Sequence, residues 1–186
     1  LALLHYQFEA IHPFRDGSGR VGRLINTLFL VERGLLPSPF LYLSAFFEAT
    51  RQEYYHRLLA VSREGDWEEW VAYVLNGVAR QSEDAVSRAV RITALLDGWR
   101  RSLVGARSDL PLKLVDDLAA NPYCVVKVIA KREKVAYTTA ERAVERLVKL
   151  NILRQVNKAE RDRLFCATAI LDILEEPANL TPEGTD

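Results

Sequence analysis

The chain has 186 residues, of which 49% are hydrophobic, and its 25 Lys and Arg balance its 25 Asp and Glu to a formal net charge of zero. This length allows one large domain or two small ones, and the apolar content is enough for a buried core. The balanced charge favours neither nucleic acid nor an acidic membrane surface as a partner of the whole molecule. No apolar run approaches the roughly 20 residues of a transmembrane helix, and no signal-peptide pattern opens the chain. We therefore expect a cytoplasmic protein without a membrane partner.

Residues 1–104 are predicted to be almost entirely helical and to form the first domain. The chain opens at Leu1 in what has the pattern of a helix interior, so we interpret it as the C-terminal part of a longer protein. Pro37 and Pro39 forbid continuation of the second helix, and from Trp67 the apolar residues keep a helical spacing. The predicted helices cover residues 1–11, 19–34, 43–47, 50–63 and 67–103.

Beyond Gly105 the pattern changes, and residues 105–109 are predicted to be the domain boundary. Helices are predicted over 112–120, 125–130 and 138–150, the last opened by Thr138 and Glu141 as a capping box. Two strands over 152–156 and 163–167 come after them. Three helices and a hairpin in this order predict a small winged helix-turn-helix domain over 109–176, with an acidic tail over 177–186.

Two cysteines, Cys124 and Cys166, lie in apolar stretches without neighbouring metal-ligand residues. They are predicted to be buried free thiols, the usual state of cysteine in an intracellular protein. Neither a disulfide nor a zinc site is expected.

The stretch from His12 to Arg23, HPFRDGSGRVGR, combines groups that handle phosphate. Glycines ahead of a helix offer backbone N–H groups and the positive end of the helix dipole to an anion. Arg20 and Arg23 lie one turn apart and can bind the same phosphate in bidentate fashion. Asp16 is a hard oxygen ligand that suits Mg²⁺, and a histidine such as His12 suits a general base near neutral pH. The alternative is a tight helix–loop–helix turn with solvated arginines.

The same stretch resembles the signature of Fic (filamentation induced by cAMP) domains, H-[PF]-F-x-[DE]-G-N-G-R-x-x-R. It matches at every constrained position except Ser18, where the family usually has Asn. Residues 41–44 and 51–59 also resemble the region C-terminal to the motif in that family, so the resemblance covers about residues 1–100. It implies a mainly α fold, a Fic-type helical bundle with the winged helix after it in this chain. Residues 1–104 would be the C-terminal part of the Fic core, without the flap hairpin that precedes the motif.

The resemblance also implies an enzyme, a nucleotidyltransferase that uses ATP and Mg²⁺ to transfer AMP onto a Ser, Thr or Tyr hydroxyl of a target protein. His12 would be the catalytic base, and Asp16 would hold Mg²⁺ against the α- and β-phosphates. The Ser18 hydroxyl is expected to donate to the α-phosphate less well than the family Asn, so Ser18→Asn should raise the rate. The predicted nucleotide-binding residues of the motif are Asp16, Gly17, Ser18, Gly19, Arg20, Val21, Gly22 and Arg23.

The nucleotide base is expected to lie on the helix over 50–63. Tyr55, Leu58 and Ser62 are the predicted base-binding residues, and Tyr54 suits either a base shelf or the protein core. The motif alone does not select AMP, so transfer of UMP or another phosphate-containing group is an alternative.

Residues 121–165 carry eleven Lys and Arg against five Asp and Glu. Arg142, Arg146 and Lys149 fall on one helix face, which predicts contact with DNA. The hairpin turn adds Lys158, Arg161 and Arg163, where backbone phosphate would lie. Because Glu141 and Glu145 interrupt the basic face, homodimerisation or target docking stays open as its use. The rival to the enzyme is a transcription regulator that senses nucleotide and binds DNA.

Overall fold

The computed structural model describes residues 1–36, 41–105, 108–159 and 162–177. This part of the chain is mainly helical, with a small three-stranded sheet near its C-terminal end. None of its helices is both long and apolar enough to cross a membrane. The helices are α1 Ala2–Ile11, α2 Ser18–Glu32, α3 Leu43–Ala49, α4 Arg51–Glu64, α5 Trp67–Ser102, α6 Leu110–Leu118, α7 Val126–Glu133, α8 Tyr137–Lys149 and α9 Thr168–Glu175, and the strands are β1 Tyr123–Val125, β2 Arg154–Gln155 and β3 Leu164–Cys166.

The chain divides into two compact units, and the division falls inside α5. The first unit holds the residues up to Ser87, and the second holds Arg88–Glu176. The domain limits given by the sequence stay a prediction, and part of the 105–109 boundary, with most of the 177–186 tail, lies outside the described residues. Pro37 and Pro39, which were expected to end α2, also lie outside them.

The first unit packs α1 to α4 and the first half of α5 around an aromatic core. Left-handed residues end two of these helices: His12 follows α1 with φ 47°, and Gly65 follows α4 with φ 70°. Such a residue commonly ends a helix because the chain then turns away from the axis. The core side chains include Phe46, Phe47, Tyr54, Trp70 and Tyr73.

The second unit has an aliphatic core between its helices and the sheet. The strand order is β1-β3-β2, and both pairs are antiparallel, with Tyr123 and Arg154 opposite Cys166. Both cysteines are free, Cys166 is buried, and burial raises the pKa of Cys124 to about 11. Buried core members include Leu103, Leu114, Val115, Leu118, Ile129, Ala140, Val144, Leu147 and Ile170.

One sequence expectation for this unit was wrong, and two elements were missed. Thr138 does not cap α8, because the N-cap is Ala136, and no side-chain cap is found for this helix among the described residues. Residues 123–125 form strand β1 ahead of α7, since their backbone pairs with β3. Neither β1 nor α9 was expected from the sequence.

Candidate active site

The motif forms the connection between α1 and α2. The His12 N–H donates to the Phe8 carbonyl at 3.0 Å, which makes His12 the last link to α1. Gly17, the N-cap of α2, has φ 87° and ψ 0°, a left-handed conformation that glycine adopts without strain. The loop therefore runs from His12, at the end of α1, to the N-terminus of α2.

Ser18 supports this loop from inside. Its side chain is buried, its Oγ accepts from the Phe14 N–H at 3.0 Å, and its hydroxyl donates to the Phe14 carbonyl at 2.9 Å. The proton of this hydroxyl is directed at the Phe14 carbonyl, so its predicted donation to a phosphate would require that hydrogen bond to break. The Ser18 backbone N–H is a predicted phosphate contact that does not depend on this rearrangement.

Asp16 and Arg20 form an exposed pair on the outside of the loop. Their side chains meet at 3.0 Å, with 92% of the Asp16 side chain exposed. In the described residues, no cluster of three or more His, Cys, Asp and Glu could hold a metal. Magnesium commonly takes one or two carboxylates and completes its shell with phosphates and water. A single open carboxylate at Asp16 fits that donor set.

Gly22 allows α1 and α2 to approach each other closely. A Cβ at this position would overlap Glu9 Oε1 and lie 3.0 Å from the Phe8 ring. Gly22 is therefore a packing residue between the two helices, and Val21 beside it is half-buried.

A pocket of about 440 Å³ lies between α1, the start of α2 and α4. This volume falls within the range of small-molecule sites. It brings together six residues predicted from the sequence, while Asp16, Gly17, Ser18, Arg20, Val21 and Gly22 lie outside its lining. The lining residues are Tyr6, Glu9, Ala10, His12, Gly19, Arg23, Tyr54, Tyr55, Leu58, Leu59 and Ser62.

Tyr54 belongs both to the pocket and to the aromatic core. Its hydroxyl lies 3.0 Å from Nε2 of His5, which is fully buried, and its ring meets Tyr55 edge-on at 5.3 Å. Burial lowers the pKa of His5 to about 4, and it raises the pKa of Tyr54. The half-exposed Tyr55 thus rests on a rigid, uncharged support.

Sequence reasoning missed the α1 wall of the pocket. Tyr6, Glu9 and Ala10 have the spacing of one helix face, which also leads to His12, so the periodicity could have found them. Glu9 is half-buried, and its Oε1 has no hydrogen-bond partner among the described residues. Burial raises the pKa of Glu9, while nearby His12 and Arg23 act in the opposite direction. A carboxylate in this position adds negative charge beside the predicted phosphate clamp.

The basic face of the second unit is placed on α8. Arg142 and Lys149 are exposed and Arg146 is half-exposed. Arg163 pairs with Glu141 and lies over the Phe165 ring at 5.6 Å, so one of the cations expected at the hairpin turn is engaged within the unit. Lys158 is exposed, and Arg161 lies outside the described residues.

Comparison with known proteins agrees with this site at its N-terminal side. Residues 1–30 match the Fic/DOC family model. The N-terminal part of the chain is therefore similar to Fic domains. A probable protein adenylyltransferase of Aquifex aeolicus is 46% identical over 50 residues, which cover 27% of this chain and 16% of that relative.

Two animal relatives extend the similarity beyond these residues. A protein adenylyltransferase of Caenorhabditis elegans is 36% identical over 89 residues, which cover 48% of this chain and 15% of the relative. A protein adenylyltransferase of Drosophila grimshawi is 36% identical over 73 residues, which cover 39% of this chain and 14% of the relative. The chain spans about a sixth of the length of the curated relatives it matches.

Proposed function

We propose that this chain carries the nucleotide site of a protein adenylyltransferase, which transfers AMP from ATP to a hydroxyl side chain of a target protein. One arrangement supports the proposal: a single pocket joins His12, Gly19 and Arg23 of the motif to Tyr55 and its neighbours on α4. A general base and phosphate-binding groups lie on one side of the pocket, and an aromatic and aliphatic surface lies on the other. This arrangement suits a nucleotide whose phosphates face the target hydroxyl. The relatives named protein adenylyltransferase support the same reaction.

In the proposed reaction, the base lies against Tyr55, Leu58 and Ser62, and the phosphates lie at the N-terminus of α2. Arg20 and Arg23 hold the β- and γ-phosphates, with the backbone N–H groups of residues 17–19 completing the cradle. The Asp16 carboxylate would hold Mg²⁺, whose contribution is to neutralise charge on the phosphates.

His12 is the proposed general base. It accepts the proton of the target hydroxyl as that oxygen attacks the α-phosphorus, and pyrophosphate leaves. Phosphoryl-transfer catalysis depends mostly on position and charge neutralisation, and a loop braced by Ser18 supplies a fixed position.

The position of the label in ATP tests the reaction. The full-length protein is incubated with candidate target proteins, Mg²⁺ and ATP carrying ³²P at either the α- or the γ-phosphorus. AMP transfer predicts stable protein labelling from the α-label and none from the γ-label. Labelling from the γ-label alone would mean phosphate transfer, and labelling from α-labelled UTP in preference to ATP would favour the UMP alternative.

A second proposal concerns the winged helix. The order α6, β1, α7, α8 and a β2–β3 hairpin favours this fold, and the exposed cations of α8 make DNA the ligand to test. Binding through phosphate contacts should weaken steeply with salt, and charge reversal of Arg142 and Arg146 to Glu should remove it. DNA binding that is undetectable at low salt would leave homodimerisation or target docking as the use of this face.

A further inference from the structure

Two hydroxyls in the pocket form a hydrogen-bond chain with one direction. The Ser62 hydroxyl donates to the Leu58 carbonyl, with Oγ 3.2 Å from the oxygen. The Tyr6 hydroxyl lies 2.9 Å from the same Oγ. A hydroxyl has one proton and two acceptor sites, so Ser62 can only accept from Tyr6. The protons therefore run from Tyr6 to Ser62 to the backbone.

With these hydrogen bonds in place, Tyr6 and Ser62 can only accept a hydrogen bond from a ligand. Neither hydroxyl has a second proton to give, whereas each oxygen keeps at least one acceptor site. Both residues line the pocket. The Tyr6 ring is held edge-on against Trp67 at 4.8 Å and against Trp70 at 6.4 Å. Because two indoles restrict that ring, the Tyr6 oxygen stays beside Ser62.

The pair lies at the base side of the pocket. Ser62 is one turn beyond Leu58 on α4, and Tyr6 precedes His12 by six residues, which is about 9 Å along a helix. A nucleotide whose phosphates lie at Gly19 and Arg23 would thus direct its base toward Tyr6 and Ser62. This placement rests on the proposed function of the pocket as a nucleotide site.

We infer that Tyr6, paired with Ser62, determines base specificity by accepting a hydrogen bond from an exocyclic amino group, such as that on C6 of adenine. A base with no donor at this position loses that bond and leaves the acceptor pair unpaired. A base with a carbonyl oxygen there would face two further oxygens without a proton between them. Sites that hydrogen-bond a polar group reject analogues that lack it. Tyr6 is thus a specificity residue in addition to the predicted Ser62.

The test compares ATP with purine riboside triphosphate, which lacks only the amino group. Dissociation constants are measured calorimetrically on the full-length protein with Mg²⁺. The wild type should bind ATP about fivefold more tightly than the analogue. This ratio corresponds to the net free energy of one partly exposed hydrogen bond. Tyr6→Phe keeps the ring and should reduce that ratio, and Tyr6→Phe combined with Ser62→Ala should bring it close to one. Tyr42→Phe, which alters an exposed tyrosine just before α3, should leave the ratio unchanged.

The outcomes separate this inference from the proposed function. Tight binding of both nucleotides with equal affinity would overturn the role of the pair and leave the nucleotide site standing. A ratio of five that persists in the double variant would also overturn it. Failure of both nucleotides to bind the wild type would overturn the proposed function, and the inference with it. Ser62→Ala alone changes an exposed side chain, so its ratio gives a reading even where Tyr6→Phe fails to fold.

Discussion

The two units of the chain are built from different cores. The first buries aromatic rings whose polar tips are hydrogen-bonded: Tyr54 with His5, Tyr73 with Thr50 at 2.6 Å, and Trp70 with the Ala2 carbonyl at 3.0 Å. The second is packed mainly with Leu, Val, Ile and Ala, together with Phe165. Of the described residues, the buried polar ones, namely His5, Ser18, Asn26 and Gln81, all belong to the first unit.

This difference explains where the pocket lies. An aromatic side chain with a bonded polar tip has a fixed direction as well as a buried surface, and its partner must be kept because an unpaired buried group is costly. The first unit uses such groups to hold the α4 wall against α1. Aliphatic side chains pack without hydrogen bonds, so they do not fix the orientation of any polar group. Such a core suits the second unit, whose charged residues lie on its exposed face.

The largest expected effect on stability is in the aliphatic core. Leu147 is fully buried there, so Leu147→Ala should lower the free energy of unfolding by about 2–5 kcal/mol, since it removes packed methyl groups and leaves a cavity. Chemical denaturation measures the change. Leu174→Ala, at a half-exposed position of the same unit, is the matched control and should stay within about 0.5 kcal/mol. Equal effects of the two changes would contradict the assigned core.

Acid should weaken the aromatic core through His5. Its pKa is about 4 in the fold against 6.5 as an ordinary histidine, so between these values the unfolded chain binds the proton more readily. The contribution of neutral His5 to the free energy of unfolding is complete above pH 6.5. About 3 kcal/mol of that free energy is lost as the pH falls through 4. Urea denaturation of wild type and His5→Gln across this range isolates the contribution. Parallel pH profiles of the two proteins would show that His5 is not held neutral.

Two glycines of α5 should respond in opposite directions to the same substitution. A Cβ at Gly77 would overlap Phe46 Cδ1 and lie 2.7 Å from Cε1, whereas one at Gly98 meets nothing nearer than Arg101 at 3.9 Å. Gly77→Ala should therefore destabilise by about 1–3 kcal/mol through overpacking. Gly98→Ala should stabilise by about 0.5–1 kcal/mol, because alanine is the better helix former. Thermal unfolding monitored by circular dichroism compares them, and a stabilising Gly77→Ala would contradict the tight aromatic packing.

The elements of the first unit could be predicted because their ends are marked in the sequence. Gly65 ends α4, and Gly17 starts α2 where the glycine loop indicates. Strand β1 was missed because three residues are too few to alternate, and the apolar run from Cys124 to Val126 suits a helix equally well. What defines β1 is its pairing with β3 some 40 residues later, which no local pattern contains.

The candidate site also contains residues that could be predicted from the sequence and residues that could not. His12, Gly19 and Arg23 are close in sequence, so their chemistry could be predicted together. The direction of the Ser18 hydroxyl could not, because it depends on how the backbone of Phe14 folds back over the loop. Tyr6 reaches the site through its hydrogen bond to Ser62, 56 residues away. Such a contact depends on the tertiary arrangement of α1 and α4.

Replacement of His12 separates nucleotide binding from AMP transfer in one variant. His12→Ala should lower the rate of AMP transfer by about 10²–10⁴-fold, the usual contribution of a general base. Its dissociation constant for ATP, measured on the same preparation, should stay within about twofold of wild type, because His12 acts on the acceptor hydroxyl. A His12→Ala protein that transfers AMP at the wild-type rate would contradict the role of His12 as the base.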